Sequence, residues 1–320
     1  MEVLSWRKAR IGISACLLGE TVRYDGGHQR DPLLLETLGP FVEWIPVCPE
    51  VEAGMGVPRE PVRLVGDPSA PRLVGTRTGR DWTETMQTWA ARRIEELAVM
   101  NLDGFILKKN SPTCGLFRVR IYTEAGTPFH AGTGFFARML VARFPMLPVE
   151  EEGRLRDPRL REHFIARVYI HQRWREWQAD AFRPAGLVRF HTEHKLLLLA
   201  YSPVHLRRLG QLVAEAGRRW PAVVKDYEAV LAQALQAPPS RGRLFNVLTH
   251  AMGFLREVLS PADRAEFQAL LEAYRRGEVP LIGPIVLLRH HLRHPGISDW
   301  LRSQRFMIPY PDALGLRNAI

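Results

Sequence analysis

Short apolar runs and longer stretches of helical period alternate along the first half of the chain. Arg10 to Leu17 reads as a buried strand ending at Cys16. Phe41 to Val47 repeats that character and runs into Cys48-Pro49-Glu50, and Leu102 to Leu107 runs into Asn110-Ser111-Pro112-Thr113-Cys114-Gly115. Between them Pro58, Pro61, Pro68 and Pro71 mark a loop-rich section. The spacing predicts helices over Trp82 to Met100, with Thr83 as its cap, and over Gly134 to Phe144. Strands alternating with helices predict an α/β domain with a mainly parallel sheet.

The period then changes. Asp157-Pro158 combines a capping side chain with proline at the first helical position, so a helix is expected from there to about Ala179. Arg183-Pro184-Ala185-Gly186 marks a boundary. Beyond it every periodic stretch is helical: His191 to Arg219 with a break at Pro203, Asn246 to Leu259, a helix opened by Ser260-Pro261-Ala262-Asp263 and closed at Gly277, and Leu281 to Leu292. The expected organisation is an α/β domain over residues 1–155, a connecting helix and linker over 156–184, and an all-α domain over 185–320.

Charge sharpens this division. Residues 1–155 hold 19 Lys+Arg against 19 Asp+Glu, whereas residues 156–320 hold 25 against 15, so the whole net charge of +10 lies in the helical half. A neutral first half joined to a basic second half suggests chemistry in one and phosphate or nucleic-acid binding in the other. The plainer reading is a compositional bias toward arginine, since only five of the 44 cationic residues are lysine. Met1 to Arg10 is polar and basic, unlike a signal peptide, and the run Leu196 to Ala200 is far short of a membrane span, so a soluble cytoplasmic protein is expected.

Three cysteines cannot pair fully as disulfides, and a cytoplasmic chain does not use them so. Each of Cys16, Cys48 and Cys114 stands at the C-terminal end of a predicted strand beside proline or glycine, the edge at which open α/β sheets bind ligands. Buried core thiols are the plain alternative. As metal ligands, three thiolates fall one short of a cubane iron–sulfur cluster and would leave one iron without a protein ligand, a Lewis acid for a soft sulfur atom. Zinc competes, with His28 or a carboxylate as fourth ligand. Glu50, Ser111 and Asp25 lie beside these cysteines as candidates for proton transfer, and Lys108 and Lys109 could neutralise a phosphate or a cluster. Gly132-Thr133-Gly134 before a helix could offer backbone N–H groups to an anion. In the second half, His191, His194, His205, His290, His291 and His294 lack carboxylates at ligand spacing and are expected to be solvated or to contact phosphate. Trp174, Trp177, Tyr201, Trp220 and Trp300 supply either base-stacking faces or core packing.

Taken in order, Ile13-Ser14-Ala15-Cys16-Leu17-Leu18-Gly19, Arg23-Tyr24-Asp25-Gly26, Cys48-Pro49-Glu50, Pro58-Arg59-Glu60-Pro61 and Ser111-Pro112-Thr113-Cys114-Gly115 resemble the thiouracil desulfidase family over residues 10 to about 155. Thr113 stands where that family commonly has serine. His191-Thr192-Glu193-His194-Lys195, Asn246 to His250, Tyr274 to Gly277 and Gln304 to Pro311 resemble the helical domain often fused to it, and the whole arrangement is similar to the bacterial tRNA 4-thiouridine desulfidases. The resemblance implies a [4Fe-4S] cluster on Cys16, Cys48 and Cys114, Glu50 as general base and Ser111 as substrate contact or proton relay. It further implies substrate contacts from Ser14, Arg23, Tyr24, Asp25, Arg59 and Lys108, and tRNA as the partner of the helical half. Two rivals remain: a desulfidase of free thiouracil or its nucleotide, and a non-catalytic metal- or RNA-binding module.

Overall fold

The computed structural model describes residues 6–320, which divide into two compact units, one ending at Asp157 and the other Pro158–Ile320. The first unit holds strands β1 (Ala9–Ser14), β2 (Val42–Val47), β3 (Val62–Val65), β4 (Arg72–Gly75), β5 (Gly104–Leu107), β6 (Val119–Tyr122), β7 (Pro128–Gly132) and β8 (Val149–Glu151), with helices α1 (Pro49–Glu52), α2 (Thr83–Val99) and α3 (Phe135–Arg143). One sheet has the order β2-β1-β5-β8 and is parallel throughout, with Ile11 opposite Trp44 on one side and Gly104 on the other. The expected α/β architecture with a parallel sheet is therefore present, followed by an all-helical region.

A second sheet, β4-β3-β6-β7, mixes parallel and antiparallel pairs. Its β3 lies within the stretch expected to be loop-rich and β4 directly after it, while β6 and β7 follow β5. Its strands are four or five residues long, too short to display a period among prolines. Trp89, Ile94, Phe105, Phe136 and Leu140 build the core of this unit, with the Phe105 and Phe136 rings edge to face at 5.9 Å. Gly12 is required by that core: a Cβ there would meet the Phe105 ring at 2.3 Å. Thr83 is not the cap of α2. Its hydroxyl accepts from the Leu73 N–H, and the Thr83 N–H goes to Asp81.

The second unit comprises α4 (Pro158–Asp180), α5 (Pro184–Tyr201), α6 (Pro203–Arg219), α7 (Ala222–Ala234), α8 (Arg241–Gly253), α9 (Pro261–Arg276), α10 (Ile282–His291) and α11 (Asp299–Arg302). Pro158 opens α4, and Ser202-Pro203 divides the long stretch into α5 and α6. Ser260 and Asp263 form a reciprocal capping box, and Gly277 ends α9 with φ +85°. Helix α4, expected as a connector, belongs to this unit, and Arg183 to Gly186 is the N-cap and first turn of α5.

Among the described residues no helix is long and apolar enough to cross a membrane. The aromatic residues of α4 and α5 pack the core. Trp174 lies flat on Tyr227 at 5.3 Å, and Trp177 and Tyr201 are buried. Trp220 packs edge-on to Trp177, and Trp300 packs on Phe254. His191 and His194 are buried, not solvated: His191 bonds the Tyr227 hydroxyl at 3.1 Å, and His194 lies between Phe190 O at 2.7 Å and Arg173 Nε at 3.1 Å. Arg173 donates inward, to His194 and to Pro309 O at 2.8 Å, and so is not a surface cation.

Candidate active site

The parallel sheet delivers its cysteines to one edge. Cys16 sits in the tight turn directly after β1, Cys48 directly after β2, and Cys114 in the loop after β5. All three line a single cavity of about 380 Å³, together with Ser14, Arg23, Tyr24, Glu50, Arg59, Lys108 and Ser111. The structure thus brings together every proposed site residue except Asp25. That carboxylate is exposed, accepts from the Gly27 N–H at 3.0 Å and pairs with Arg23 at 3.4 Å. His28 also stays outside the lining, its Nδ1 accepting from the Arg30 N–H.

The Cys114 loop is held from two sides. On one, the end of β8 supplies acceptors: Glu151 takes the N–H groups of Leu116 (2.7 Å) and Phe117 (3.1 Å), and Glu152 takes that of Lys109 (2.8 Å) and pairs with the Lys108 ammonium. On the other, the start of α3 donates to the loop: Phe135 N–H to Pro112 O at 2.9 Å and Ala137 N–H to Thr113 O at 3.1 Å. The Gly132-Thr133-Gly134 stretch therefore serves protein carbonyls and not an anion. Gly134 permits the approach, since a Cβ there would stand 2.5 Å from Thr113 O.

Glu50, on the short α1, is held between three groups. Its Oε1 accepts from the Thr113 hydroxyl at 2.6 Å, while Oε2 lies 3.6 Å from Cys48 Sγ and 3.9 Å from Arg59 Nη2. Arg59 is fixed in turn by donating to Val22 O and Gly56 O. Ser111 faces the cavity, but its Oγ accepts from the N–H groups of Cys114 (3.0 Å) and Thr113 (3.2 Å), which shapes the Cys114 loop. Ser14 accepts from the Lys108 N–H at 3.0 Å and ties β1 to the β5 loop. Tyr24 is 43% exposed, with the Arg23 guanidinium 5.4 Å from its ring centroid. The sequence reading assigned no role to Thr113 or Glu152. Thr113 stood inside the Ser111 to Gly115 block, whereas Glu152 had no signal beyond being one of three successive glutamates.

Residues 11–152 match the family described as 2-thiouracil desulfurase. The chain belongs to the 2-thiouracil desulfurase family. Residues 195–311 match a second family, described as a protein of unknown function (DUF1722). The chain is 30% identical over 138 residues to the uncharacterized protein YbgA of Escherichia coli (strain K12), covering 42% of this chain and 80% of that one. It is 31% identical over 133 residues to the uncharacterized protein YbbK of Bacillus subtilis (strain 168), covering 40% and 87%. A solved structure, the [4Fe-4S]-dependent thiouracil desulfidase TudS, is 32% identical over 47% of this chain and 95% of that chain, with a TM-score of 0.39. The first unit is thus a desulfidase domain, and DUF1722 makes up most of the second.

The desulfidase cavity fits a cationic iron–sulfur group on physical grounds. Burial, with the Glu50 carboxylate adding to it, pushes the Cys16 thiol up to about 11, Cys48 up to about 12 and Cys114 well above the usual thiol range. Left to themselves these sulfurs keep their protons, and thiolates here call for a positive charge at the sulfurs, which a bound metal supplies. Among the described residues no three His, Cys, Asp or Glu are gathered as ligands of a single ion. Three thiols spread around one cavity suit a body of several metal and sulfide atoms.

Proposed function

We propose that this protein is a cytoplasmic desulfidase that converts 4-thiouridine in tRNA to uridine, using a [4Fe-4S] cluster held by Cys16, Cys48 and Cys114. The observation that carries the reading is the meeting of three strand-end thiols and one carboxylate, Glu50, around a single cavity. When bound, the cluster supplies a Lewis-acidic iron without a protein ligand, which can take the thiocarbonyl sulfur.

The chain's own residues supply the rest. Glu50 Oε2 faces the cavity as the base that takes a proton from the water attacking the ring carbon. Arg59, half-buried with Nη2 3.9 Å from that oxygen, adds positive charge beside it and offers a donor to the substrate. Ser14 and Ser111 shape the walls, and Lys108, paired with Glu152, adds positive charge near Cys16. Arg23 and Tyr24, at the exposed rim, contact the nucleotide outside the reacting base. The charge excess of residues 156–320 supports a polyanionic substrate, with exposed Arg207 and Arg208 on α6 among its contacts.

Free thiouracil or its mononucleotide is the second reading, favoured by a cavity that takes one base and encodes no polymer length. The test compares kcat/KM of anaerobically prepared full-length protein on thiolated tRNA and on 4-thiouridine monophosphate in one buffer. A preference for tRNA that shrinks with added salt is expected. Equal use of both, equally insensitive to salt, makes the small molecule the substrate.

A further inference from the structure

Thr113 does not line the cavity and has no exposed surface, yet its hydroxyl makes the shortest polar contact to Glu50, 2.6 Å to Oε1. A threonine hydroxyl has one proton, and a carboxylate only accepts, so Thr113 donates to Glu50. The Ser111 hydroxyl, 3.0 Å from Thr113 Oγ1, then gives its own proton to Thr113. Ser111 Oγ in turn accepts from the N–H groups of Cys114 and Thr113. The series is therefore directional, from backbone N–H through Ser111 and Thr113 to Oε1 of Glu50.

A glutamate carboxylate rotates over a broad, two-fold range about its last bond, so its oxygens are interchangeable unless one is held. The Thr113 bond holds Oε1 and leaves Oε2 beside Cys48 Sγ and Arg59. The Thr113 backbone is anchored independently, through the Ala137 N–H and the close approach of Gly134. Neither contact uses the hydroxyl.

From this geometry we infer that Thr113 is a positioning residue for the reaction: it fixes Glu50 so that one oxygen, Oε2, meets the attacking water. The inference rests on the desulfidase reading above. It separates two roles within one loop, Ser111 at the cavity wall and Thr113 behind it, whose hydroxyl lies 3.7 Å from Cys114 Sγ and gives its one proton to the nearer Glu50 oxygen.

Thr113→Val keeps the shape and removes the hydroxyl, while Thr113→Ser keeps the hydroxyl. Both are prepared anaerobically as full-length protein, beside Glu50→Gln and the double variant Glu50→Gln/Thr113→Val. The valine variant is expected to keep the wild-type iron content and visible spectrum, and to hold KM and the dissociation constant for uracil within about twofold. Its kcat should fall by roughly 10- to 100-fold, the cost of a misplaced base. The serine variant should recover to within about threefold, and the valine change should add less than about twofold in the Glu50→Gln background. Full kcat in Thr113→Val, equal loss in Thr113→Ser, loss of iron on removing the hydroxyl, or an undiminished loss in the double variant each overturns the inference. A wild-type protein inactive on every thiolated uracil overturns the desulfidase reading and this inference with it. An active wild type with an unimpaired valine variant overturns this inference alone.

Discussion

Acid should unfold the helical unit before it titrates the carboxylates. Burial, helped by the nearby Lys195, holds His191 down to about 4 from its ordinary 6.5, burial holds His171 down to about 3, and His194 lies well below the usual range. In the unfolded chain each regains a value near 6.5. The unfolded state therefore binds protons that the folded state refuses, and stability falls as pH falls from 6.5 toward 4. One pK unit is about 1.4 kcal/mol, so between pH 6.5 and 5 His191 alone removes about 1.6 kcal/mol. His171 and His194 add in the same direction, against a total stability on the order of 5–15 kcal/mol for a domain. Urea titrations of the whole protein, followed by circular dichroism at 222 nm at half-unit steps of pH, should show the midpoint dropping steadily over this window. His191→Gln cannot titrate and should flatten the slope by about 1.4 kcal/mol per pH unit, whatever it does to stability at pH 7. A midpoint that stays level from pH 6.5 to 5, or a His191→Gln slope equal to the wild type's, refutes the reasoning.

Replacing Cys16, Cys48 or Cys114 with alanine should abolish iron binding and colour, measured as iron per chain after anaerobic purification. Stoichiometric zinc in a colourless wild type would show the cluster assignment to be wrong. Glu50→Gln should retain the visible spectrum and lose roughly 10²–10⁴-fold in turnover, as removal of a general base does. Charge reversal at Arg207 and Arg208, both exposed on α6, should weaken thiolated-tRNA binding and reduce the log–log salt slope by roughly 0.9 per lost phosphate contact, while leaving the melting temperature nearly unchanged. Arg173→Glu, by contrast, should destabilise the helical unit by roughly 3 kcal/mol or more, read from its urea midpoint. It deprives Pro309 O of its donor and buries a charge beside His194.

The parts of the fold legible in the sequence were those whose signal is local. The three strands ahead of the cysteines are short, mainly apolar runs, and the Ser260 box and Gly277 state where α9 begins and ends. The second sheet was not legible, because strands of four or five residues such as Val62–Val65 hold too few positions to show alternation. Burial of polar side chains was the other blind spot. Arg173 on α4 and His194 on α5 look like surface residues in the sequence, and only the fold shows them bonded to each other, with Arg173 also donating to Pro309 O. In the site, the cysteines and Glu50 carried their chemistry in residue type and position. Thr113 did not, because its partner is 63 residues away in sequence. Asp25 had the right chemistry and the right neighbourhood, but the turn it caps faces solvent.

The clasp that β8 closes on the Cys114 loop sets a timetable for biogenesis. Cys16 and Cys48 leave the ribosome early, but the peptide around Cys114 is secured by Glu151 and Glu152, and by the start of α3, all of which are translated later. Until the last of these residues emerges, the Cys114 thiol has no fixed address. Iron and sulfide delivered to the nascent chain would find two cysteines and a loose loop. On the proposed ligand set, delivery must follow completion of the N-terminal unit.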